Sequence, residues 1–454
     1  MSSWKKSKLS EVINIIGGGT PKRSEEKYWN GNIPWLSVAD FNNDLRFVSS
    51  SAEYITELGL SQSSTKLLKR GDLIISARGT VGCLAQLDKP MAFNQSCYGL
   101  NGKENIIDNG FLYYFLKNNI KELKQKTHGA VFDTITRDTF EYIEIYYPDI
   151  KRQKEIAEIL EDYDQKIQLN TQINQTLEQI AQTIFKSWFI DFDPVHAKAN
   201  ALASGQTAEQ ATQAAMAVIS GKNTQELHRL QTANPEQYQQ LWEIAEAFPS
   251  GFDEEGVPRG WEEKPLPELI DFLEGPGIRN WQYTEEEDGI KFINIRCIKN
   301  GDLSLETANK ITKEEAFGKY AHFQLKEDDI VISTSGTLGR FALVRNEHLP
   351  LCLNTSVIRF RPIENKSTLA FLLGLASNQL QYELEARASG SVQRNFGPTH
   401  LKQISVLLPD FYLLSLHNKY LSTLFELRKS NLRECDLLMK TRDVLLPKLL
   451  SGEI

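Results

Sequence analysis

Two short segments pair small residues with arginine in a way suited to phosphate and base recognition. Ser76-Ala-Arg-Gly-Thr-Val-Gly82 and Ser333-Thr-Ser-Gly-Thr-Leu-Gly-Arg340 share the pattern Gly-Thr-x-Gly. Small residues let backbone N–H groups approach a phosphate. Arg78 and Arg340 could reach phosphate oxygens or guanine edges, and Thr80, Ser335 and Thr337 add hydroxyls. The plainer reading of the glycines is a tight β-turn packed on its own domain. A second pair of polar segments follows each of these. Lys124–Arg137 carries Lys124, Lys126, His128 and Arg137, whereas Ser389–Phe396 carries Ser389, Ser391, Gln393 and Arg394. These are donors for base edges and phosphates, or else solvated loops. The members of the second pair differ in sequence, so the segments around them are expected to read different things.

Catalytic chemistry is missing from the same survey. No G-x-x-x-x-G-K-[ST] occurs, and Gly221-Lys222-Asn223 is only a partial echo of it. Gly17-Gly-Gly19 is not a dinucleotide fingerprint. Asp191-Phe-Asp-Pro-Val195 lacks the second proline and the aromatic of a methyltransferase motif. The seven histidines are dispersed, with no pair at i, i+4, and the five cysteines form no C-x-x-C. Pro148-Asp149 with Glu155 lacks the Glu-x-Lys of a metal nuclease, so Asp149 reads as a helix cap. No catalytic residue, metal site or cofactor is expected.

The elements that must position the polar segments come in duplicate. At an offset of 257, Trp4 meets Trp261, Leu9–Ile13 meets Leu266–Ile270, Asp72–Ser76 meets Asp329–Ser333, and Gly79–Gly82 meets Gly336–Gly339. The offset becomes 260 at Asn94/Asn354 and 261 at Pro148/Pro409. One offset held that long and drifting so little marks two homologous units, about 1–192 and 261–454. Each alternates short β-rich runs with Gly/Asn/Ser turns around one helix, Gly110–Lys126 or Ser367–Ala388, which predicts an α+β domain. After Pro148 a long helical pattern carries a heptad seam through Ile156, Leu160, Tyr163, Ile167, Asn170, Asn174, Leu177, Ala181, Ile184 and Trp188. Adding 261 gives His417, Leu421, Leu424, Arg428, Asn431, Cys435, Leu438, Arg442, Leu445 and Leu449. The two helices are expected to pair antiparallel, each covering the other's narrow apolar stripe. The chain thus divides into domain 1 (1–150), a spacer helix (151–192), a helical linker (193–260), domain 2 (261–410) and a second spacer helix (411–454). The fold class is α+β, two pseudo-symmetric globular domains separated by long antiparallel coiled-coil helices. Within the linker, helices are expected at Thr207–Ile219 and near Thr224–Phe248, as a return connection.

Formal net charge is −8 over 454 residues. Residues 1–150 hold 18 Lys+Arg against 17 Asp+Glu, while 193–260 hold 4 against 9. Acidity therefore gathers in the centre, and a nucleic-acid face needs only a local basic surface. No run approaches the ~18 apolar residues of a membrane span, so a soluble cytoplasmic chain with reduced thiols and no membrane partner is expected.

This layout resembles the specificity subunit of Type I restriction–modification systems. The likeness rests on Ile184-Phe-Lys-Ser-Trp-Phe-Ile-Asp-Phe-Asp-Pro-Val195, Leu445-Leu-Pro-Lys-Leu-Leu-Ser-Gly-Glu-Ile454, the paired Gly-Thr-x-Gly turns, and Gly18-Gly-Thr-Pro21 ahead of Ile33-Pro-Trp-Leu36. It implies two target-recognition domains, each reading half of a bipartite, asymmetric site in double-stranded DNA. It also implies helices that act as a ruler and dock two adenine-methyltransferase subunits, with restriction subunits joining; methyl transfer, translocation and cleavage would belong to those partners. On this reading Leu160, Tyr163, Asn170, Leu177, Ile184, Trp188, Leu421, Leu424, Asn431, Leu438, Leu445 and Leu449 form the paired helices and the docking element. Residues 261–410 depart from a uniformly basic footprint, with 17 Lys+Arg against 21 Asp+Glu, so recognition there is expected to rest on a few loops. The alternative is a two-domain protein-binding scaffold without DNA specificity.

The ruler reading has a measurable consequence. Four residues inserted after Asn170 add about 6 Å by helical rise and keep the seam nearly in phase. At about 3.4 Å per base pair, the methylated motif should gain a spacer longer by one or two base pairs, with both half-site sequences unchanged. A two-residue insertion turns the seam by ~200°, breaks the pairing and should be worse tolerated. An active four-residue variant with the parental spacer would refute the ruler.

Overall fold

The computed structural model describes residues 4–43, 45–125, 134–387 and 397–454. The fold is α+β, with one long helix between two related domains along the chain and a second long helix after them. It divides into two compact units, 1–172 with 431–454, and 173–430, so each unit holds one domain and part of each long helix.

In the first unit the strand Leu73–Ser76 is buried on both faces and lies inside a five-stranded sheet. Leu73 and Ile75 meet the helix Asn109–Gln125 through Phe111, Leu112 and Leu116, while Ile74 meets a second sheet through Leu36, Leu68 and Phe93. An apolar run without alternation is what such a two-faced position requires. The neighbouring strand Cys97–Gly102 pairs it antiparallel, Cys97 opposite Ser76. Near the chain's start, Lys5–Lys8 pairs with Glu144–Tyr147, Lys5 opposite Tyr147.

The second unit repeats this register. Ile330–Ser333 is the doubly buried strand, Val357 lies opposite Ser333, and Glu262–Pro265 pairs with Ser405–Leu408. The helix expected over Ser367–Ala388 differs from its counterpart. It begins at Leu369 behind the cap Thr368, runs to Leu375, and passes through a π turn, Ala376–Leu380, into Gln381–Arg387. Ser377 and Asn378 donate to the Leu373 and Gly374 carbonyls inside the helix. Such side-chain bonds bend helices. Gly374 leaves no room for a Cβ because the Phe185 ring lies against it.

The two long helices are Ile150–Phe189 and Phe411–Ser451. In the first unit Asn170 Nδ2 donates to Glu434 Oε2 at 2.7 Å, Lys166 pairs with Glu434 at 3.3 Å, and Arg442 pairs with Asp164. In the second unit Glu178 faces Arg428, and Trp188 and Phe189 face His417. Rising numbers on one helix meet falling numbers on the other, which is antiparallel pairing. The seam follows most of the expected positions, with three corrections of identity. Asp164 is buried and Tyr163 only half-buried, because Asp164 is held by Arg442 and by the Tyr114 hydroxyl at 2.6 Å. Towards the ends, Phe185 and Leu446 are the buried residues and Ile184 and Leu445 only half-buried. A straight helix drifts ~20° per heptad, enough to hand the seam to the neighbouring residue.

The segment 193–260 is more than a return connection. It forms four helices, Asp193–Ala203, Ala208–Ser220, Thr224–Ala233 and Pro235–Ala247. Its residues Val195, Met216, Leu241, Ile244 and Phe248 belong to the largest apolar core of the second unit, with Trp188 and Trp261. Pro194 lies in the first turn of the first of these helices, a position that suits proline. Thr207 with Gln210 and Asn223 with Glu226 close two capping boxes. Lys198 is buried and its ammonium donates to the Ala245, Glu246 and Phe248 carbonyls, capping the last helix while burial lowers its pKa. No helix among the described residues is long and apolar enough to cross a membrane.

His417 is fully buried among Phe185, Trp188 and Phe189, and neither ring nitrogen meets a hydrogen-bond partner among the described residues. Burial pushes its pKa down to about 3. The unfolded chain binds a proton near pH 6.5 that the folded chain refuses, so stability falls as pH drops from about 6.5 towards 3, by ~1.4 kcal/mol per unit. Between pH 6.5 and 5 the His417→Leu variant should lose about 2 kcal/mol less than the parent in urea unfolding. Parallel pH slopes for the two proteins would show that the imidazole is not held neutral.

Candidate nucleic-acid interface

The two Gly-Thr-x-Gly turns are hairpin tips built on a buried serine. Ser76 ends its doubly buried strand, and its hydroxyl donates to the Thr80 carbonyl at 2.5 Å while accepting from the Cys83 amide at 2.8 Å. Ser333 does the same, donating to the Thr337 carbonyl at 2.6 Å and accepting from the Arg340 amide at 3.0 Å. The backbone closes alike around both, with Gly82 N on Ser76 O and Gly339 N on Ser333 O. Gly79, Gly82, Gly336 and Gly339 all take positive φ, between 68° and 82°, a conformation that suits glycine. The tight-turn reading of the glycines and the exposed-donor reading thus hold together. The inward half of each turn is a structural lock, and its outward half presents Arg78 and Thr80, or Thr337 and Arg340, to solvent, with Ser335 half-buried.

The free amides point to the same use. Among the described residues the N–H groups of Gly79 and Thr80, and of Gly336 and Thr337, donate to no protein acceptor. Successive unpaired amides in a turn form an anion-binding concavity.

Other loops gather at the same edge of the first domain. Ala77 and Arg78 amides both donate to the Ser96 carbonyl, at 2.7 and 3.3 Å, and Ile135 N donates to Ala77 O at 3.0 Å. Asn94 accepts from Ser96 N in an Asx turn. Gly18 lies directly on the Asn94 carbonyl, where a Cβ would clash. The strand before it brings Gly17 beside the exposed Arg137, whose Nη2 would lie 3.7 Å from a Cβ there. Thr20 donates to the Gln95 side chain. Arg78 and Arg137 therefore flank one set of turns, and neither has a carboxylate partner among the described residues.

The second domain builds the same edge with different residues. Thr334 N donates to Ser356 O at 3.0 Å, and Gly275 lies against Asn354. Glu274 stands where the first domain has Gly17, and burial raises its pKa. Arg296 is exposed just beyond the 3₁₀ start capped by Asn294, and Ile295 touches the Gly336 position. Arg340 occupies the position of Cys83, and Ser335 that of Arg78, so the arginine sits on opposite limbs of the two turns. Arg340 also has no carboxylate partner among the described residues.

Several expected residues fall elsewhere. Lys126, His128, Ser391, Gln393 and Arg394 lie outside the described residues, and so does the side chain of Lys124. Sequence reasoning missed the inward roles of Ser76 and Ser333, the Asx turn at Asn94, and Arg296. The first two were visible as matched repeat positions. Arg296 had no such signal, because its counterpart is Ala39. No group of His, Cys, Asp and Glu among the described residues could hold a metal ion. The expected stem residues are placed as follows: Leu160, Asn170, Leu177, Trp188, Leu421, Asn431 and Leu449 are buried, while Tyr163, Ile184, Leu424, Leu438 and Leu445 are half-buried.

Comparison with known proteins agrees with this duplicated architecture. The model of the Type I restriction modification DNA specificity domain matches residues 1–179 and 258–432. The chain is 31% identical to the Type I restriction enzyme HindI specificity subunit of Haemophilus influenzae, over the whole of both chains. It is 24% identical to the MjaIX specificity subunit of Methanocaldococcus jannaschii, covering 99% of this chain and 93% of that one. A crystal structure of the Type-I restriction-modification system S subunit from M. genitalium aligns over 99% of this chain and 96% of its own, at 16% identity and a TM-score of 0.48. With its duplicated domain matched twice and a relative matched end to end, the chain belongs to the Type I restriction–modification DNA specificity family.

Proposed function

We propose that the chain is the non-catalytic, DNA-reading subunit of a Type I restriction–modification complex in the cytoplasm. Domain 1 reads one half of a bipartite site in double-stranded DNA and domain 2 the other. The paired helices dock two adenine-methyltransferase subunits, and restriction subunits join that complex. Chemistry belongs to those partners. The observation that carries the reading is the repeated turn. The same inward serine holds it in both domains, its amides stay free for phosphate, and its arginine changes limb. A constant lock with a variable outer face is what two readers of different half-sites need, since phosphate contacts position and base contacts specify. The exposed Arg78, Thr80 and Arg137 serve the first half-site, and Ser335, Thr337, Arg340 and Arg296 the second. Lys124, Lys126, His128, Ser391, Gln393 and Arg394 remain candidates on the sequence alone.

Co-expression with the partner methyltransferase followed by methylome sequencing tests this. The parent should mark adenine in one split, asymmetric motif. Exchanging residues 1–150 for the domain of another family member should change one half of it only. Arg340→Ala should weaken or relax the second half-site, and Arg78→Ala the first, each by ~1–3 kcal/mol where the arginine contacts a base. Binding of the cognate duplex should weaken steeply with salt. Both variants matching the parent across a salt series would remove these turns from the interface, and the absence of any split motif would leave the protein-binding scaffold as the better reading.

A further inference from the structure

The two domains are joined to their stems by opposite chemistry at equivalent positions. In the first unit the joint is a buried polar chain. Arg46 donates through Nε and Nη2 to Gln86 Oε1, at 2.9 and 2.7 Å, and through Nη1 to the Tyr114 hydroxyl at 2.9 Å. Tyr114 donates to Asp164 Oδ2 at 2.6 Å, and Arg442 pairs with Asp164 Oδ1. Glu161 lies 3.1 Å from Arg46, and Lys117 lies 3.9 Å from Asp164. The chain runs from the recognition sheet through the domain's helix to both stem helices, and Arg46, Gln86, Asp164 and Arg442 are each less than 9% exposed.

The repeat offsets carry these positions into the second unit. Gln86 becomes Leu343, Tyr114 becomes Gly374, Asp164 becomes Phe425 and Arg442 becomes Ala181. The Tyr114 match is fixed by the helix start, where Asp108 and Thr368 are the equivalent caps and Gly110–Ala157 contact corresponds to the Ala370–Asn418 hydrogen bond. All four replacements line one largely apolar pocket beside the stem of the second unit, whose charged joints, Arg428 on the Gly301 carbonyl at 3.1 Å and Lys429 with Asp328 at 2.7 Å, lie at other positions. Apolar contact is non-directional, whereas a charge-assisted hydrogen bond fixes distance and angle. A buried ion pair adds little net stability over an apolar replacement and is better suited to specifying geometry.

We propose that Asp164, held between Arg442 and Tyr114, is the positioning residue that fixes how the first domain is seated on its helical stem, and so the spacer length accepted beyond the first half-site. The inference rests on the half-site reading above. Tyr114→Phe removes only the hydroxyl of the chain. The pair Asp164→Leu with Arg442→Leu replaces the ion pair by apolar volume, so that stability is retained while direction is lost. Leu112→Ala, in the same core but outside the chain, serves as a control that lowers stability alone.

The experiment is methylome sequencing of the complexes formed with the partner methyltransferase, alongside thermal unfolding of each. Tyr114→Phe and the apolar pair should keep the bases of both half-sites. Discrimination against spacers one base pair longer or shorter should fall about tenfold, the scale of one lost charge-assisted hydrogen bond. Leu112→Ala should lower the melting temperature and leave the spacer alone. A single parental spacer in both chain variants overturns the proposal, as does equal broadening in Leu112→Ala. If the parent itself marks no split motif, it is the half-site reading that has failed.

Discussion

Each Gly-Thr-x-Gly edge depends on one hydroxyl at the end of a strand buried on both faces. Leu73–Ser76 and Ile330–Ser333 can lie between a helix and a second sheet only because they carry no polar side chain until the last residue. There the chain must turn, and the turn must be satisfied where water does not reach. The serine hydroxyl meets both demands by donating to one carbonyl and accepting one amide across the turn. A buried polar group left unpaired costs ~1–3 kcal/mol, so the inner face of the turn tolerates little change. The outer face is under no such constraint. The side chains of Arg78, Thr80, Thr337 and Arg340 take no part in these bonds, so packing does not fix their identities.

That division explains what was legible in the sequence. The repeat, the doubly buried strands and the paired turns all arise from packing, and packing leaves periodic or duplicated residues. Asn94 and Asn354, Ser76 and Ser333 recur for that reason. Arg296 has no counterpart, since position 39 is Ala, and its exposed side chain is not set by packing. The stem was legible as a heptad seam, but its register at Asp164 was not. A carboxylate enters a seam only when its partners are present, and Tyr114 and Arg442 lie far off in sequence. The central segment misled for a local reason. Pro194 resembles a helix stop until the next helix is seen to begin on it, and Asn234 with Pro235 splits what periodicity alone joins.

Polar groups within the stem divide by what surrounds them. Asn170 reaches Glu434 at the rim of the helix pair, and Lys166 shares that carboxylate, which is held below its usual pKa by these two bonds. His417, in contrast, is enclosed by aromatic rings and held neutral. Asp164 is as buried as an apolar seam residue, yet it stays paired on both oxygens. Burial of the Tyr114 phenol, with Asp164 beside it, pushes its pKa far up, so the hydroxyl remains a donor at any pH the protein meets. Three polar residues at similar depth thus have three different consequences: a hydrogen bond to a carboxylate at the rim, a proton-linked weakness towards acid, and a directional joint.

The same distinction resolves the conflict between net charge and a nucleic-acid ligand. Composition counts Arg46, Arg345, Arg359 and Arg442 with Arg78, Arg137, Arg296 and Arg340, although the first four are buried and the last four exposed. Arg345 is tied to Asp302, Arg442 to Asp164 and Arg359 to the exposed Asp271, so each of these charges is cancelled by its neighbour. What a phosphate meets is the local surface within about a Debye length, ~10 Å at ordinary ionic strength. At the first domain's edge that surface holds Arg78 and Arg137, and Gly17 where the second domain has Glu274. The second domain answers with Arg340 and Arg296, and burial raises the Glu274 pKa. An acidic chain can therefore carry two basic edges, provided its acids are spent in internal pairs or gathered elsewhere, as they are in the helices of 193–260.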